Sequence, residues 1–376
     1  MERKNYIYIA LIVILSLTIL EIWFFILSFF IPTDYYYNPP TKEQFTSYLS
    51  KSKDRHVGWI LGHDKITPDG YRVSPANINF DNGCISIYGD SFAFASEVSH
   101  EEAWSNILAK LLECRVENYG VEAYGTDQSY LRFLFNKKDT ANIVILAHSS
   151  KDIIRNITHD YTLIAGSGLL LKPKFKTDGN GNLTLMPIPD LTIQDYESFF
   201  RDRRRLFPNE YLFPNEGALS KKSLGFPYLL RVPYSFTYKK IYAGILSFFI
   251  SIPPWYSELY NPAHPSQALR LTRDIMINFY REARSRGKKP LLVIIPTIRD
   301  MKYFQSSDKW IYQSLLDSLE KKDVNCYNLG PMLIKRVPSH RLLEYFSTHK
   351  KTQSGHYTAL GNLVLAEVMY DILKNY

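Results

Sequence analysis

The stretch ISIYGDSF, residues 85–92, decides how the rest of this chain is interpreted. Its β-branched, apolar first half predicts a buried strand, and the Gly-Asp-Ser that follows predicts a turn opening a helix. A serine there lies at the carboxyl edge of a sheet, where open α/β folds carry their sites, beside a helix amino terminus that favours negative charge. Ser91 is therefore a candidate nucleophile. The simpler alternative is that Ser91 or Asp90 only caps the helix.

Two later segments bear on that choice. GHYTALGN, residues 355–362, leads into an apolar helical run, and a histidine before a terminal helix is placed to act as general base for a serine elsewhere in the fold. NYGVEAYGTDQ, residues 118–128, follows a second short predicted strand. His356 is the candidate base.

Taken in chain order, the three segments resemble the nucleophile, glycine and histidine blocks of the SGNH/GDSL hydrolase family. The resemblance runs from about Gly58 to the carboxyl terminus, with a long insertion in the middle. It implies a three-layer α/β/α, flavodoxin-like domain, a Ser91–His356 pair and an oxyanion hole of backbone N–H groups. The residues it places at the hole, or in positioning the turn, are Asp90, Gly120, Ala123 and Gly125.

Three positions depart from the family pattern. Ala123 stands where the family has a glycine. Gln353 and Ser354 stand where the family has the acid that orients its histidine, and Gln353 can orient a ring but supplies no charge. The oxyanion asparagine is also missing.

That asparagine would fall at Lys151 or Asp152, after the third strand. Losing one oxyanion donor typically costs about 10²–10³ in rate. Lys151 and the nearby Asn156 are candidate substitutes.

The chain alternates predicted strands and helices, which favours a mainly parallel sheet covered by helices. Between residues 157 and 264, prolines, aromatics and turn signals replace that alternation, which indicates an insertion or cap. We therefore divide the chain into residues 1–32, a lead-in over 33–80, and an SGNH-like domain over 81–376. The predicted strands cover 85–88, 116–118, 143–147, 291–295 and 326–328, and the predicted helices cover 102–112, 129–135, 267–286, 309–321 and 359–375.

Residues 7–31 form an apolar run long enough to span a bilayer. Arg3 and Lys4 precede it, so the positive-inside rule predicts a cytoplasmic amino terminus and an outside domain. No small-residue cleavage site follows, which favours an uncleaved anchor over a signal peptide. Glu21 lies within the run, at a cost of about 2.5–3.5 kcal/mol for a central charge. We favour simple tolerance by a very apolar helix over protonation or contact with a membrane partner.

Composition excludes several classes of function. With 45% hydrophobic residues the chain of 376 is a folded protein, and no nucleotide loop, metal-ligand spacing or nucleic-acid module is present in its sequence. We therefore expect no cofactor, no metal and no nucleic-acid partner. The three cysteines are an odd number, so at least one is unpaired within the chain, and buried thiols are the default expectation.

The functional expectation is a serine esterase or O-acyltransferase on exported or surface polysaccharide, with acetyl as the implied acyl group. DGYR at 69–72 and EEAW at 101–104 resemble membrane-anchored bacterial members that face the periplasm or cell exterior. One alternative is a degenerate domain that binds glycan or scaffolds a membrane export machine. The other is a lipid-directed esterase that uses the apolar cap segment 241–252.

Overall fold

Five parallel strands and one two-stranded hairpin make up the sheets of the described part of the chain. The structure is a computed structural model that describes residues 3–29, 39–52, 54–60, 65–81, 83–165, 168–178, 180–212, 226–235, 253–347, 355–374 and 376. The strands are β1 (Gly83–Tyr88), β2 (Arg115–Asn118), β3 (Ile143–Ser149), β4 (Lys174–Thr177), β5 (Leu183–Met186), β6 (Lys289–Ile295) and β7 (Cys326–Asn328).

The parallel sheet has the order β2-β1-β3-β6-β7. In register, Ile85 pairs with Ile143, and Ile145 pairs with Leu291. These strands form because runs of β-branched residues bury both faces of a parallel sheet. Strand addition changes direction between β1 and β3, which is the switch point where open α/β sheets bind ligands. Ser91 lies three residues after the end of β1, so the nucleophile candidate lies at this point.

Helices cover both faces of the sheet, so the expected three-layer α/β/α architecture is confirmed. On one face the helix Thr126–Phe135 packs against Ala268–Ser285, and on the other the helix Trp104–Leu112 packs against Ala359–Leu373. The helices are α1 (Arg3–Ser28), α2 (Lys42–Ser47), α3 (Ser91–Phe94), α4 (Trp104–Leu112), α5 (Thr126–Phe135), α6 (Asp152–Arg155), α7 (Thr162–Ala165), α8 (Tyr196–Arg201), α9 (Arg203–Leu206), α10 (Tyr228–Ser235), α11 (Ala268–Ser285), α12 (Ile298–Ser307), α13 (Gln313–Glu320), α14 (Gly330–Arg336), α15 (Leu342–Tyr345) and α16 (Ala359–Leu373).

The first helix is long and apolar enough to cross a membrane. Its candidate span, Asn5–Ser28, has 24 residues, a mean hydropathy of 2.7 and no buried share in its most apolar window. The predicted end of the run, at residue 31, lies outside the described residues.

The insertion has a small core of its own. Its hairpin pairs Lys174 of β4 with Met186 of β5 in antiparallel register. Phe199 and Phe207 of the insertion pack with Phe45 of the lead-in helix α2, so the first part of the lead-in joins the insertion. The later part of the lead-in, with Trp59 and Ala76, packs into the core of the main sheet. The apolar segment 241–252 lies outside the described residues.

Cys84 and Cys114 form a disulfide, with their Cα atoms 6.0 Å apart. The expectation of buried thiols is therefore wrong for these two residues. Parallel pairing places Gly83 opposite Arg115, which brings the neighbouring cysteines together, and that register is not visible in the sequence. Cys326 remains a free thiol, and burial raises its pKa.

Candidate active site

The turn that carries Ser91 is fixed by its neighbours. The Phe92 N–H donates to Asp90 Oδ1 over 2.8 Å, so Asp90 caps α3. Gly89 has no room for a side chain, because a Cβ there would lie 2.6 Å from the Cβ of Ala93 and 2.8 Å from the carbonyl oxygen of Ala147. Ser91 itself is 6% exposed. The serine is thus held rigidly at the end of β1.

His356 lies directly over the serine. Its Nε2 is 2.7 Å from Ser91 Oγ, although the two residues are 265 positions apart in the chain. The Ser347 N–H donates to the His356 carbonyl oxygen over 2.6 Å, and the ring of Phe92 packs on the imidazole with 4.6 Å between centroids. The two segments that the sequence singled out as nucleophile and base therefore meet.

A third residue completes the arrangement. Glu97 Oε1 is 2.9 Å from His356 Nδ1, on the side of the ring opposite Ser91. An ionised carboxylate only accepts hydrogen bonds, so Nδ1 carries the proton and Nε2 offers its lone pair to the serine hydroxyl. This is the orientation that a general base needs.

The sequence did not point to Glu97. The acid was sought just before the histidine, at Gln353, which lies outside the described residues. Glu97 instead follows the nucleophile helix, after a left-handed turn at Ala95, where φ is 62°. The only local signal for this role of Glu97 was its place in the chain: a short helix ends at a left-handed residue, and the glutamate follows.

The loop that begins at Asn118 is clamped against the nucleophile turn. The Tyr119 N–H donates to the Ile87 carbonyl oxygen over 2.7 Å, and the Val121 N–H donates to that of Gly89 over 3.0 Å. Asn118 Nδ2 donates to the Ala93 carbonyl oxygen over 2.7 Å. The loop thus extends the sheet ladder past the end of β1 and fixes α3.

Two of the three predicted loop donors are already used. The Gly120 N–H donates to Asn118 Oδ1 over 3.0 Å, and the Gly125 N–H donates to Gln128 Oε1 over 3.2 Å. Within the described residues, the N–H groups of Ser91 and Ala123 have no acceptor. Ala123 has φ of 67°, the left-handed region that favours glycine. Ser91 and Ala123 are accordingly the candidate oxyanion donors.

The segment after β3 offers no amide in place of the missing asparagine. Lys151 is exposed, and Asp152 is buried with its Oδ1 accepting from Arg155 over 2.6 Å. Asn156 Nδ2 donates to Thr272 Oγ1 over 2.8 Å, and Asn156 Oδ1 accepts from the Asp127 N–H over 3.2 Å. Asn156 therefore serves the fold and not the oxyanion.

Beneath the site, one guanidinium joins two carboxylates. Arg155 Nη1 donates to Asp90 Oδ2 over 2.9 Å and to Asp152 Oδ1 over 2.6 Å. All three residues are fully or nearly buried. Ser149 Oγ also donates to Asp90, over 2.9 Å. Burial, together with the nearby Asp90 carboxylate, raises the pKa of Asp152. Asp90 is thus a positioning residue, held by Arg155 below and capping α3 above.

His148 lies in the same buried layer. Its Nδ1 is 2.8 Å from Thr126 Oγ1, and its Nε2 is 3.0 Å from the Tyr260 hydroxyl, which also donates to the Ser150 carbonyl oxygen. Burial lowers the pKa of His148 to about 3, so its imidazole is neutral at neutral pH.

Comparison with known proteins gives a fold likeness only. No family model and no curated protein matches the chain. It aligns with a protein assigned to the lipolytic G-D-S-L family from Desulfitobacterium hafniense DCB-2, at 12% identity and a TM-score of 0.38, over 78% of this chain and 100% of that one. A member of that family from Veillonella parvula DSM 2008 aligns at 8% identity and a TM-score of 0.37, over 78% of this chain and 100% of that one. An acetyl xylan esterase aligns at 10% identity and a TM-score of 0.33, over 77% of this chain and 98% of that one.

The class follows from the chain's own architecture. A five-stranded parallel sheet covered by helices, with Ser91 after its first strand and His356 before its last helix, is the α/β arrangement that the sequence resemblance to the SGNH/GDSL hydrolases implied. The order of the three sequence motifs and their meeting at one sheet edge agree with this.

Proposed function

We propose that this chain is a membrane-anchored serine esterase or O-acyltransferase that acts on acylated polysaccharide outside the cytoplasm. The proposal is carried by one observation: the continuous hydrogen-bonded line from Ser91 through His356 to Glu97, with spacings of 2.7 and 2.9 Å. A serine, a base and an orienting acid in this relation form an activated nucleophile.

In the first half of the reaction, Ser91 Oγ attacks the ester carbonyl carbon while His356 Nε2 removes its proton. The imidazolium that forms is stabilised by the Glu97 carboxylate at Nδ1. The carbonyl oxygen becomes an oxyanion, which the backbone N–H groups of Ser91 and Ala123 stabilise. His356 then returns the proton to the departing sugar oxygen as the C–O bond breaks, which leaves an acyl group on Ser91.

In the second half, an oxygen nucleophile resolves the acyl-enzyme. His356 removes a proton from water or from a sugar hydroxyl, that oxygen bonds to the acyl carbon, and Ser91 leaves with the proton restored. Water makes the chain an esterase, and a sugar hydroxyl makes it a transferase. The same residues serve both outcomes.

The exposure of the site supports a bulky, polymeric substrate. The side chain of His356 is 17% exposed and that of Glu97 is 24% exposed, so the catalytic line reaches the protein surface. An acyl group that projects from a polysaccharide can enter such a site without the polymer being engulfed. An acetyl group is the acyl group that the family resemblance implies.

Two features support a location outside the cytoplasm. The apolar span Asn5–Ser28 of α1 follows Arg3 and Lys4, in the order that leaves the domain after it on the outer side. The Cys84–Cys114 disulfide is of a kind that persists in oxidising compartments and is rare in the cytosol.

A glycan-binding domain without catalysis is the second candidate. It is favoured by the absence of a side-chain amide at the oxyanion position, where Lys151 and Asp152 stand. Two backbone N–H donors remain. Whether these two donors stabilise the oxyanion well enough for turnover decides between the two functions.

The test uses the full chain in detergent, with p-nitrophenyl acetate and acetylated oligosaccharides as substrates. Acetate release and transfer of acetyl to a second oligosaccharide are both followed by mass spectrometry. We expect turnover that falls by about 10³ or more in Ser91→Ala, and that is unchanged in the exposed control Ser339→Ala. Glycan binding with no acyl chemistry would favour the second candidate, and activity that survives Ser91→Ala would contradict the proposed mechanism.

A further inference from the structure

The carboxylate within the apolar helix α1 has two backbone partners. Glu21 Oε1 accepts from the Tyr228 N–H over 2.5 Å, and Oε2 accepts from the Leu229 N–H over 2.8 Å. These are the first two N–H groups of α10, which have no partner inside their own helix. Glu21 therefore caps a helix that lies 207 and 208 positions further along the chain. The expectation that α1 merely tolerates this residue is wrong.

The contact extends along one face of α1. The half-buried positions of the helix, Glu21, Phe24, Leu27 and Ser28, follow one another at helical spacing, and α10 packs there. The rings of Phe25 and Tyr228 also meet edge to face, with 5.1 Å between centroids. The two helices are packed against each other, and not joined by one hydrogen-bonded pair alone.

The depth of the contact places it within the bilayer if α1 spans it. Glu21 precedes Ser28, the end of the helix, by seven residues, which is about 10 Å at 1.5 Å per residue. A span of 24 residues is about 36 Å long, against a hydrocarbon layer of about 30 Å. Glu21 and the start of α10 thus lie at the depth of the outer leaflet's acyl chains.

The outer face of α10, together with the residues just before it, is apolar. Phe226, Leu230 and Tyr234 recur every four residues and are 75%, 68% and 53% exposed. In water this stripe would be an unfavourable apolar surface, and it continues the exposed apolar surface of α1. Arg231, the charged residue of the helix, has a stem long enough for its guanidinium to reach the headgroups.

We propose that residues 226–235 are a second membrane-embedded segment, seated in the outer leaflet beside α1 with Glu21 as their hydrogen-bond acceptor. In hydrocarbon, an unpaired carboxylate and unpaired N–H groups are each costly, and here they satisfy one another. The proposal rests on the membrane anchoring proposed above. It adds that the insertion, and not only α1, fastens the domain to the bilayer and so fixes the orientation of the Ser91 site toward it.

The test is spin-label accessibility in the full chain, reconstituted in vesicles of phosphatidylcholine and phosphatidylglycerol. Cys326→Ser removes the free thiol, and labels are placed at Leu230→Cys, at Leu15→Cys within α1, and at the exposed Lys322→Cys as the aqueous control. We expect collisions with dissolved oxygen to exceed those with a water-soluble nickel complex at 230 and 15, and the reverse at 322. In Glu21→Leu, we expect the label at 230 to become several-fold more accessible to nickel, and in Glu21→Gln, which keeps one acceptor oxygen, less so.

The outcomes separate the two proposals. A label at 230 that is as accessible to nickel as the label at 322, with 15 protected by lipid, overturns this inference and leaves the anchor intact. A label at 15 that is accessible to nickel overturns both. Circular dichroism of each variant shows that the domain is folded when the comparison is made.

Discussion

His356 and Glu97 lie 259 positions apart in the chain, and yet Nδ1 of the imidazole is 2.9 Å from Oε1 of the carboxylate. The acid comes from the segment that follows the nucleophile and not from the segment that carries the histidine. A chain that lacks the family's usual acid therefore still has a carboxylate on the correct side of the ring.

Replacing that carboxylate by an amide tests its role. In Glu97→Gln, the side chain can donate to Nδ1 and favour the wrong tautomer, and it no longer stabilises the imidazolium. We expect kcat for p-nitrophenyl acetate to fall by about 10²–10⁴ with little change in thermal stability. Glu101→Gln, on the same exposed segment, is the matched control and should leave kcat unchanged. Equal rates in the two variants would remove Glu97 from the mechanism.

The buried guanidinium under the site should matter for stability. Arg155→Met leaves Asp90 and Asp152 without their shared cation, and an uncompensated buried charge typically costs about 3–5 kcal/mol. Urea unfolding should show this loss in the free energy of unfolding. The exposed control Arg205→Met should change it by less than about 0.5 kcal/mol. A small effect in both variants would mean that the two carboxylates are satisfied by other groups.

Two substitutions in the loop beside the serine should have opposite effects on stability. A Cβ at Gly120 would lie 2.7 Å from the Phe94 backbone nitrogen, so Gly120→Ala should displace α3, lower the rate and cost about 1–3 kcal/mol. Ala123→Gly relieves a left-handed alanine, so it should gain up to about 1 kcal/mol and keep the rate within about twofold, because the proposed donor is a backbone N–H. A rate loss of more than about tenfold in Ala123→Gly would contradict the assignment of that donor.

His148 should make the fold sensitive to acid. Its pKa is lowered to about 3 from an ordinary 6.5, so between these values the unfolded chain binds the extra proton and stability falls as pH falls. From pH 7 to pH 4 this group alone costs about 3 kcal/mol of the free energy of unfolding. In His148→Gln that part of the pH dependence should disappear, and the difference between the two urea-unfolding profiles isolates it. Parallel profiles would show that His148 has the same pKa in the folded and unfolded chain, which would contradict the lowered value.

The sequence predicted the sheet and two of the three catalytic candidates because those features are local. The strand β7, Cys326–Asn328, has the predicted bounds, and β1 and β3 begin or end within two residues of theirs. Ser91 and His356 each lie where a strand or loop meets a helix, and such junctions leave a pattern of turn and cap residues.

The remaining features depend on contacts between distant segments. Glu97 reaches His356 only because Ala95 turns the chain back, and Glu21 meets α10 across an insertion. The disulfide forms because β1 and β2 pair in a register that brings the two cysteines together. Gly120 was a predicted donor, and its N–H is instead taken by the Asn118 side chain, a competition that spacing does not reveal.

The most direct test of the proposed mechanism is covalent capture of Ser91 by a fluorophosphonate, mapped by peptide mass spectrometry on the full chain. The Ser91–His356–Glu97 line predicts a stoichiometric adduct on the peptide that contains Ser91, slowed strongly in His356→Ala and absent in Ser91→Ala. An unmodified Ser91, under conditions in which a known serine hydrolase in the same tube is fully labelled, would contradict its role as an activated nucleophile.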